Sequence, residues 1–166
     1  MPDILCYSRN RCTSVEQMDD HTLRSTCRLQ DTLMEAHVEI LVKAPDLEII
    51  HVKGEIVRSA RGGRVDASED LRKVIGSRVG PGINKIVRGL LGDSPYAEPL
   101  SFLLDECCNG IILTFTRDVL LHAPKDKMGE KAFFTSMVKS NPRMYNSCAA
   151  LSADSPLMEG LDLDEK

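Results

Sequence analysis

The sequence predicts an α+β fold, and three observations carry that prediction. Apolar and polar residues alternate through the first third of the chain, apolar residues recur at helical spacing beyond about residue 66, and the two patterns follow one another without interleaving. Strands first and helices afterwards give a sheet with helices on one face, not the repeated crossovers of a parallel sheet. A chain of 166 residues is long enough to bury one sizeable core. With 42% apolar residues but only 4% aromatics and no tryptophan, that core is expected to be aliphatic.

Leu5 to Val15 is a mixed apolar and polar run, closed by the polar turn Met18-Asp19-Asp20-His21. Leu23, Ser25, Cys27 and Leu29 then alternate with Arg24, Thr26 and Arg28, which is the period of a half-buried strand. Ala36, Val38, Ile40 and Val42 repeat the pattern against His37, Glu39, Leu41 and Lys43. Ala44-Pro45-Asp46 is a turn signal. Leu47 to Val57 follows, with Ile50, Val52 and Ile56 expected on one face. Four strands with short connections make an antiparallel four-stranded meander over about residues 5–58.

Asp66 and Glu69 have the spacing of a capping box, Leu71, Val74 and Ile75 form an apolar stripe behind them, and Gly76 suits a helix stop. Pro81 fits the first position of a second helix, in which Ile83, Ile86, Val87 and Leu90 are expected inward as far as Gly92. A third, longer helix begins near Pro95 to Pro99, turns Leu100, Leu103, Leu104, Cys107, Ile111, Ile112 and Phe115 inward, and ends at His122-Ala123-Pro124. Gly110 inside it is unfavourable by about 1 kcal/mol relative to Ala and is expected to mark close packing. Residues 126–139 carry Phe133, Phe134, Met137 and Val138 as a fourth helix. Three or four helices are thus expected on one face of the meander, and the sheet face left open is a reason to expect a dimer. Beyond Asn141-Pro142 the periodicity is lost and SADSPLMEGLDLDEK is acidic and turn-rich. Residues 1–140 are expected to form a single α+β domain and 141–166 an extended tail, partly docked or disordered.

No run approaches the roughly 20 apolar residues of a membrane span, and MPDILCYSRNRC lacks the apolar stretch of a secretory signal. A cytoplasmic protein with no membrane partner is expected. Six cysteines, Cys6, Cys12, Cys27, Cys107, Cys108 and Cys148, have no CxxC spacing and are expected as free thiols, mostly buried. A net charge of -4 and the scarcity of aromatics argue against a nucleic-acid partner. The charge is uneven, with eight basic and three acidic residues between Arg58 and Arg88.

That basic excess surrounds SRVGPGINKIVRGLLGDSPYAEPL, residues 77–100. A glycine-rich turn feeding a helix N-terminus points amides at one spot and favours an anion. Gly80 and Gly82 with Arg78, Lys85, Arg58, Arg61 and Arg64 are therefore the candidate site for an anion or an acidic partner. The same residues also suit a helix–helix corner with a solvated basic face. Neither a Walker loop nor a dinucleotide fingerprint is present. Cys148 is the one cysteine outside the regular elements, and its neighbours Ser147 and Ala149 offer no base. No catalytic residue is assigned, and the reading leans away from an enzyme.

The segments RVGPGINKIVRGLLGD, LQDT, LEIIHVKGEIVR and LSFLLDE, with NSCAALSADSPLM near the C-terminus, resemble an uncharacterised bacterial family catalogued as domain of unknown function 2889 (DUF2889). The likeness covers about Arg11 to Phe115 and Asn146 to Met158. More remotely, the order of strands, helices and Cys/His turns looks like the NifU-like iron–sulfur scaffolds, whose carboxylate, thiolates and histidine suit iron or zinc. In this chain Arg64 stands where the family tends to have a cysteine, Tyr96-Ala97-Glu98-Pro99-Leu100 replaces Gly-Cys-x-His-Leu, and Cys148-Ala149 replaces Cys-His. Asp31, Arg58 and Cys148 are the polar positions that match. A metal site in this chain would have to be rebuilt from Asp31, His37 and Cys148 as the metal candidates, with Cys27 and the adjacent Cys107-Cys108, while buried thiols are the alternative for the cysteines. Two function classes follow: a non-enzymatic binding or interaction module without a cofactor, whose partner is another protein, a copy of itself or a small anion, and a metal or iron–sulfur handling protein with a degenerate ligand set.

Overall fold

The period-two segments form one antiparallel sheet: β1 (Arg9–Asp19), β2 (Thr22–Asp31), β3 (Glu35–Lys43), β4 (Glu48–Arg58) and β5 (Val65–Asp66), in the order β1-β2-β3-β4-β5. The computed structural model describes residues 4–60, 62–92, 94–140, 142–146 and 148–162. The four expected strands are present, the first lying four residues later than Leu5 to Val15 and taking in Met18 and Asp19 of the expected turn. The fifth was not expected, because two residues are too short to display a period. Leu23, Ser25, Cys27 and Leu29 of β2 pair with Val42, Ile40, Val38 and Ala36 of β3, and all eight are buried.

The expected inward face of β4 is corrected at one position. Ile49 and Val52 are buried and Ile50 is exposed. Leu41 pairs with His51 and Val42 with Ile49, so Ile50 is an extra residue, a β-bulge that shifts the alternation by one. The outer edge of β4 is covered by two short pieces of chain. β5 pairs with Glu55 and Ile56. Farther back, the Ile49 amide donates to Ser77 O at 2.8 Å, the Gly76 amide to Ile49 O at 2.9 Å and the Val79 amide to Leu47 O at 2.9 Å.

Between these two pieces lie α1 (Ser68–Leu71) and a 3₁₀ turn, Arg72–Val74. Asp66 Oδ1 accepts the Ser68 amide at 2.9 Å, an Asx turn in place of the expected capping box, and Ala67 is the N-cap. α2 (Ile83–Leu91) starts two residues later than expected, after Gly82 at φ 84°, a backbone region that glycine enters without strain. Ile83, Val87 and Leu91 are its buried residues, and Ile86 and Leu90 are exposed. α3 (Ala97–His122) buries Leu100, Leu103, Leu104, Cys107, Cys108 and Ile111, whereas Ile112 and Phe115, expected inward, are exposed.

Gly110 confirms the expected close approach: a Cβ there would lie 3.0 Å from Val15 Cγ2 and 3.1 Å from Thr13 Cγ2, so the missing side chain lets α3 settle on the sheet. Gly54 does the same for α1, since a Cβ on it would overlap Leu71 Cδ1. One aliphatic core joins β2, β3 and β4 with Leu71, Val74, Val79 and the buried stripes of α2 and α3.

By its contacts the chain forms two units, Met1–Thr114 and Phe115–Lys166. The second holds α4 (Lys127–Ser140) and 3₁₀ turns at Pro142–Met144 and Ala149–Leu151. Val138, Leu151 and Met158 are its buried centre, flanked by Phe134, Met137, Tyr145 and Leu157. The chain after α4 therefore packs on α4, because Met137 and Val138 give it an apolar face to cover. Among the described residues no helix is long and apolar enough to cross a membrane.

Candidate functional site

The basic residues that lie close together in sequence separate into three places. Arg58, at the end of β4, donates from Nη2 to Asp31 O at 2.7 Å and from Nη1 to Thr32 O at 3.0 Å, so its guanidinium holds the β2–β3 turn. Arg64 is paired with Glu55 on the sheet face opposite the helices. Arg78, Gly80, Gly82 and Lys85 belong to the α2 corner. Arg61 lies outside the described residues. At the corner Gly82 O accepts the amides of Lys85 and Ile86 at 3.1 and 3.3 Å, and Gly80 O accepts that of Ile83 at 3.2 Å. Arg78, Lys85 and Arg88 are exposed and form no ion pair among the described residues.

Asp31 is a satisfied structural carboxylate. Its Oδ2 accepts from Arg9 Nε at 3.0 Å and Nη2 at 2.8 Å, and from Tyr7 OH at 3.4 Å. Its Oδ1 accepts the amides of Leu33 and Met34 at 2.8 and 2.6 Å. Its side chain is 3% exposed. The Arg9 guanidinium, followed by the two amides, holds the carboxyl below the usual carboxylate range. Both oxygens are thus engaged by donors, the opposite of a vacant metal ligand. Sequence reasoning singled out Asp31 but missed Arg9 and Tyr7, whose signal is the antiparallel register that sets Arg9 opposite Asp31.

His37 stands on the polar face of the sheet, where cross-strand pairs put it between Arg28 of β2 and Glu55 of β4. Its Nε2 is 3.6 Å from Glu55 Oε2, and Glu55 also takes Arg64. Burial, then the positive charges of Arg28, Lys53 and Arg64, push the imidazole below its ordinary value. The surrounding face alternates in sign, with Glu16 on Arg24 and Glu39 opposite Lys53, and reads as a solvated charge lattice.

All six cysteines are free, three buried and three exposed, so the expectation of mostly buried thiols holds for half of them. Burial pushes Cys27 and Cys107 up and Cys108 up to about 12, which keeps them protonated and unreactive at neutral pH. Cys107 Sγ donates to Val38 O at 3.6 Å, and Ser25 Oγ donates to Cys107 O at 2.9 Å. Cys148 is exposed at the start of a 3₁₀ turn in the second unit, whereas Asp31 and His37 belong to the first. Among the described residues no three His, Cys, Asp or Glu side chains are grouped to hold a metal.

A shallow cleft of about 290 Å³ lies beside β4 and α1, lined by His51, Lys53, Asp66, Ser68, Arg72 and Ile75. The Ser68 hydroxyl and amide, with Lys53 and Arg72 behind them, hold Asp66 below the usual carboxylate range. Arg72 is tied to Glu69 at 2.5 Å. Charges in the cleft are mutually compensated, unlike those of the α2 corner. No protein-family model, curated protein or solved structure matches the chain.

Proposed function

We propose that the protein is a binding module, working without catalysis, whose α2 corner takes an acidic partner. The observation that carries this reading is the uncompensated charge of residues 71–92, which hold Arg72, Lys73, Arg78, Lys85 and Arg88 and no Asp or Glu. Among the described residues Arg72 is paired with Glu69 and Arg78 stands opposite Glu48 in an isolated bridge, while Lys73, Lys85 and Arg88 form no ion pair. Exposed cations with no internal partner turn their field outward, raise the local concentration of anions and steer an acidic surface into contact.

The DUF2889 relationship belongs to the same proposal, supported by the succession of meander and helices that the resemblance implies. No observation favours the iron–sulfur alternative: Asp31 already accepts from Arg9 and two amides, and His37 stands beside Glu55 on a face of alternating charge.

The test is fluorescence anisotropy of a labelled glutamate-rich peptide titrated with the full chain at salt of about 50 and about 300 mM, where screening lengths differ severalfold. Binding is expected at low salt and weaker at high salt. The triple variant Arg78→Glu/Lys85→Glu/Arg88→Glu is expected to abolish it, and Arg64→Glu to leave it intact. A triple variant that binds as the parent does, or a parent that does not bind at low salt, overturns the proposal.

A further inference from the structure

We infer that the partner docks as an amphipathic helix, acidic on its rim and apolar at its centre, laid across α2 at Ile86, Gly89 and Leu90. The inference rests on the acid-binding reading above and adds the shape and chemistry of the occupant.

Gly89 is the first reason. A glycine inside a helix costs stability relative to alanine, and Gly54 in β4 and Gly110 in α3, which also lie inside regular elements of the first unit, have a packing cause: Gly54 admits Leu71, and Gly110 admits Thr13 and Val15. A Cβ on Gly89 would meet nothing within 4 Å. The fold itself therefore makes no use of its lack of a side chain, whereas a helix crossing at that point would, because small residues let two helix backbones approach.

The surroundings of Gly89 are the second reason. With 3.6 residues per turn, Gly89 lies on the helix surface between Ile86 and Leu90 on one side and Lys85 on the other. Ile86 is 49% exposed and Leu90 36%, although both sit in an aliphatic helix whose other apolar residues, Ile83, Val87 and Leu91, are buried. A gap with two exposed aliphatic knobs on one side and a cation on the other fits apolar anchors at i and i+3 or i+4 on a helix that carries carboxylates beside them.

Charge selects among occupants. Two copies of α2 packed on each other would set Lys85 and Arg88 against themselves with no acid on either helix, which disfavours a second copy of this chain.

The experiment uses the full chain and two synthetic amphipathic helical peptides with identical leucine spacing, one carrying Glu and the other Lys on the rim, alongside the glutamate-rich peptide. The Glu-rimmed helix is expected to bind at least tenfold more tightly than either other peptide. Ile86→Ser and Gly89→Leu are each expected to weaken it at least tenfold while leaving the glutamate-rich peptide within twofold. Gly89→Ala is expected to raise the melting temperature and yet weaken the Glu-rimmed helix, a combination that a purely structural glycine does not give.

If Ile86→Ser and Gly89→Leu leave the Glu-rimmed helix bound as before while the charge-reversal triple releases it, the helix-docking inference falls and the acid-binding reading stands. If the triple also has no effect, both fall. Preferential binding to phosphatidylglycerol vesicles lost in Ile86→Ser, or a dimer in sedimentation lost in Gly89→Leu, would also overturn the inference.

Discussion

Gly54→Ala is expected to destabilise the first unit, although alanine is ordinarily the better residue in a strand. Gly54 is buried in β4 opposite Val38, and an added Cβ would overlap Leu71 Cδ1 and lie 3.6 Å from Val38 Cγ2. Leu71 and Val38 are both fully buried, so the leucine must leave its rotamer or α1 must lift from the sheet. Overpacking of this kind costs about 1–3 kcal/mol. Direct overlap with a fully buried leucine sets the cost at the upper end, about 2–3 kcal/mol, and the stiffer backbone of alanine returns about 0.5–1 kcal/mol, leaving a net loss of about 1–2.5 kcal/mol. For a chain of this size that is a fall of roughly 2–10 °C in melting temperature. Urea unfolding followed by far-ultraviolet circular dichroism measures it. The cause is isolated by a double-mutant cycle. Leu71→Ala alone costs about 2–5 kcal/mol through its cavity, but Gly54→Ala placed on that background meets no Cδ1 and is expected to be neutral or stabilising. A Gly54→Ala variant as stable as the parent, or equal penalties on both backgrounds, would refute the reasoning.

Asp31→Ala is expected to lower the melting temperature more than Asp31→Asn, since the amide oxygen of asparagine can still accept from Leu33 and Met34. Because the Asp31 pKa is depressed in the fold, its contribution is present above the unfolded value of about 3.9 and is lost as pH falls through the folded one. The stability gap between the parent and Asp31→Asn should therefore close in acid, and a gap that persists at the lowest pH would refute the assignment. His37 works in the same direction: its folded pKa lies below the unfolded value of about 6.5, so the unfolded chain takes the proton first as pH falls and stability declines below that value. Denaturation midpoints across this range should fall less for His37→Gln than for the parent, and parallel profiles would contradict the burial of His37 beside Arg28, Lys53 and Arg64. Ser25→Ala removes a buried hydroxyl donor to Cys107 O and is expected to cost about 1–3 kcal/mol in chemical denaturation, with an unchanged midpoint counting against that bond.

Strands β2 and β3 were legible because burial on one face leaves a clean period of two, and the residues that the period marks are the ones buried. β4 was legible except at Ile50, where the bulge is a property of the pairing with β3 and leaves no mark in a run of aliphatic residues. In α2 the spacing of Ile83, Ile86, Val87 and Leu90 established a helix but not its rotation. The core took Ile83, Val87 and Leu91, leaving two residues expected inward at the surface. The basic cluster read as one patch because sequence proximity ignores the hairpin: Arg58 ends β4, Arg64 enters β5, and each turns to a different neighbour. Asp31 was marked by the resemblance at LQDT, but its meaning depended on Arg9, which only the β1–β2 register brings opposite it.

The backbone bonds from Ile49 to Ser77, Gly76 to Ile49 and Val79 to Leu47 bear on the thermodynamics of recognition at α2. They lace the approach to the helix onto β4, so the chain leading into Gly80 is ordered before any partner arrives. A loose loop would surrender about 1–2 kcal/mol of backbone entropy per residue on docking, whereas here that loss has already been met in folding. If the corner takes the partner proposed above, its affinity would depend on the complementarity of what lands on it, with little subtracted for rearrangement of residues 76–79.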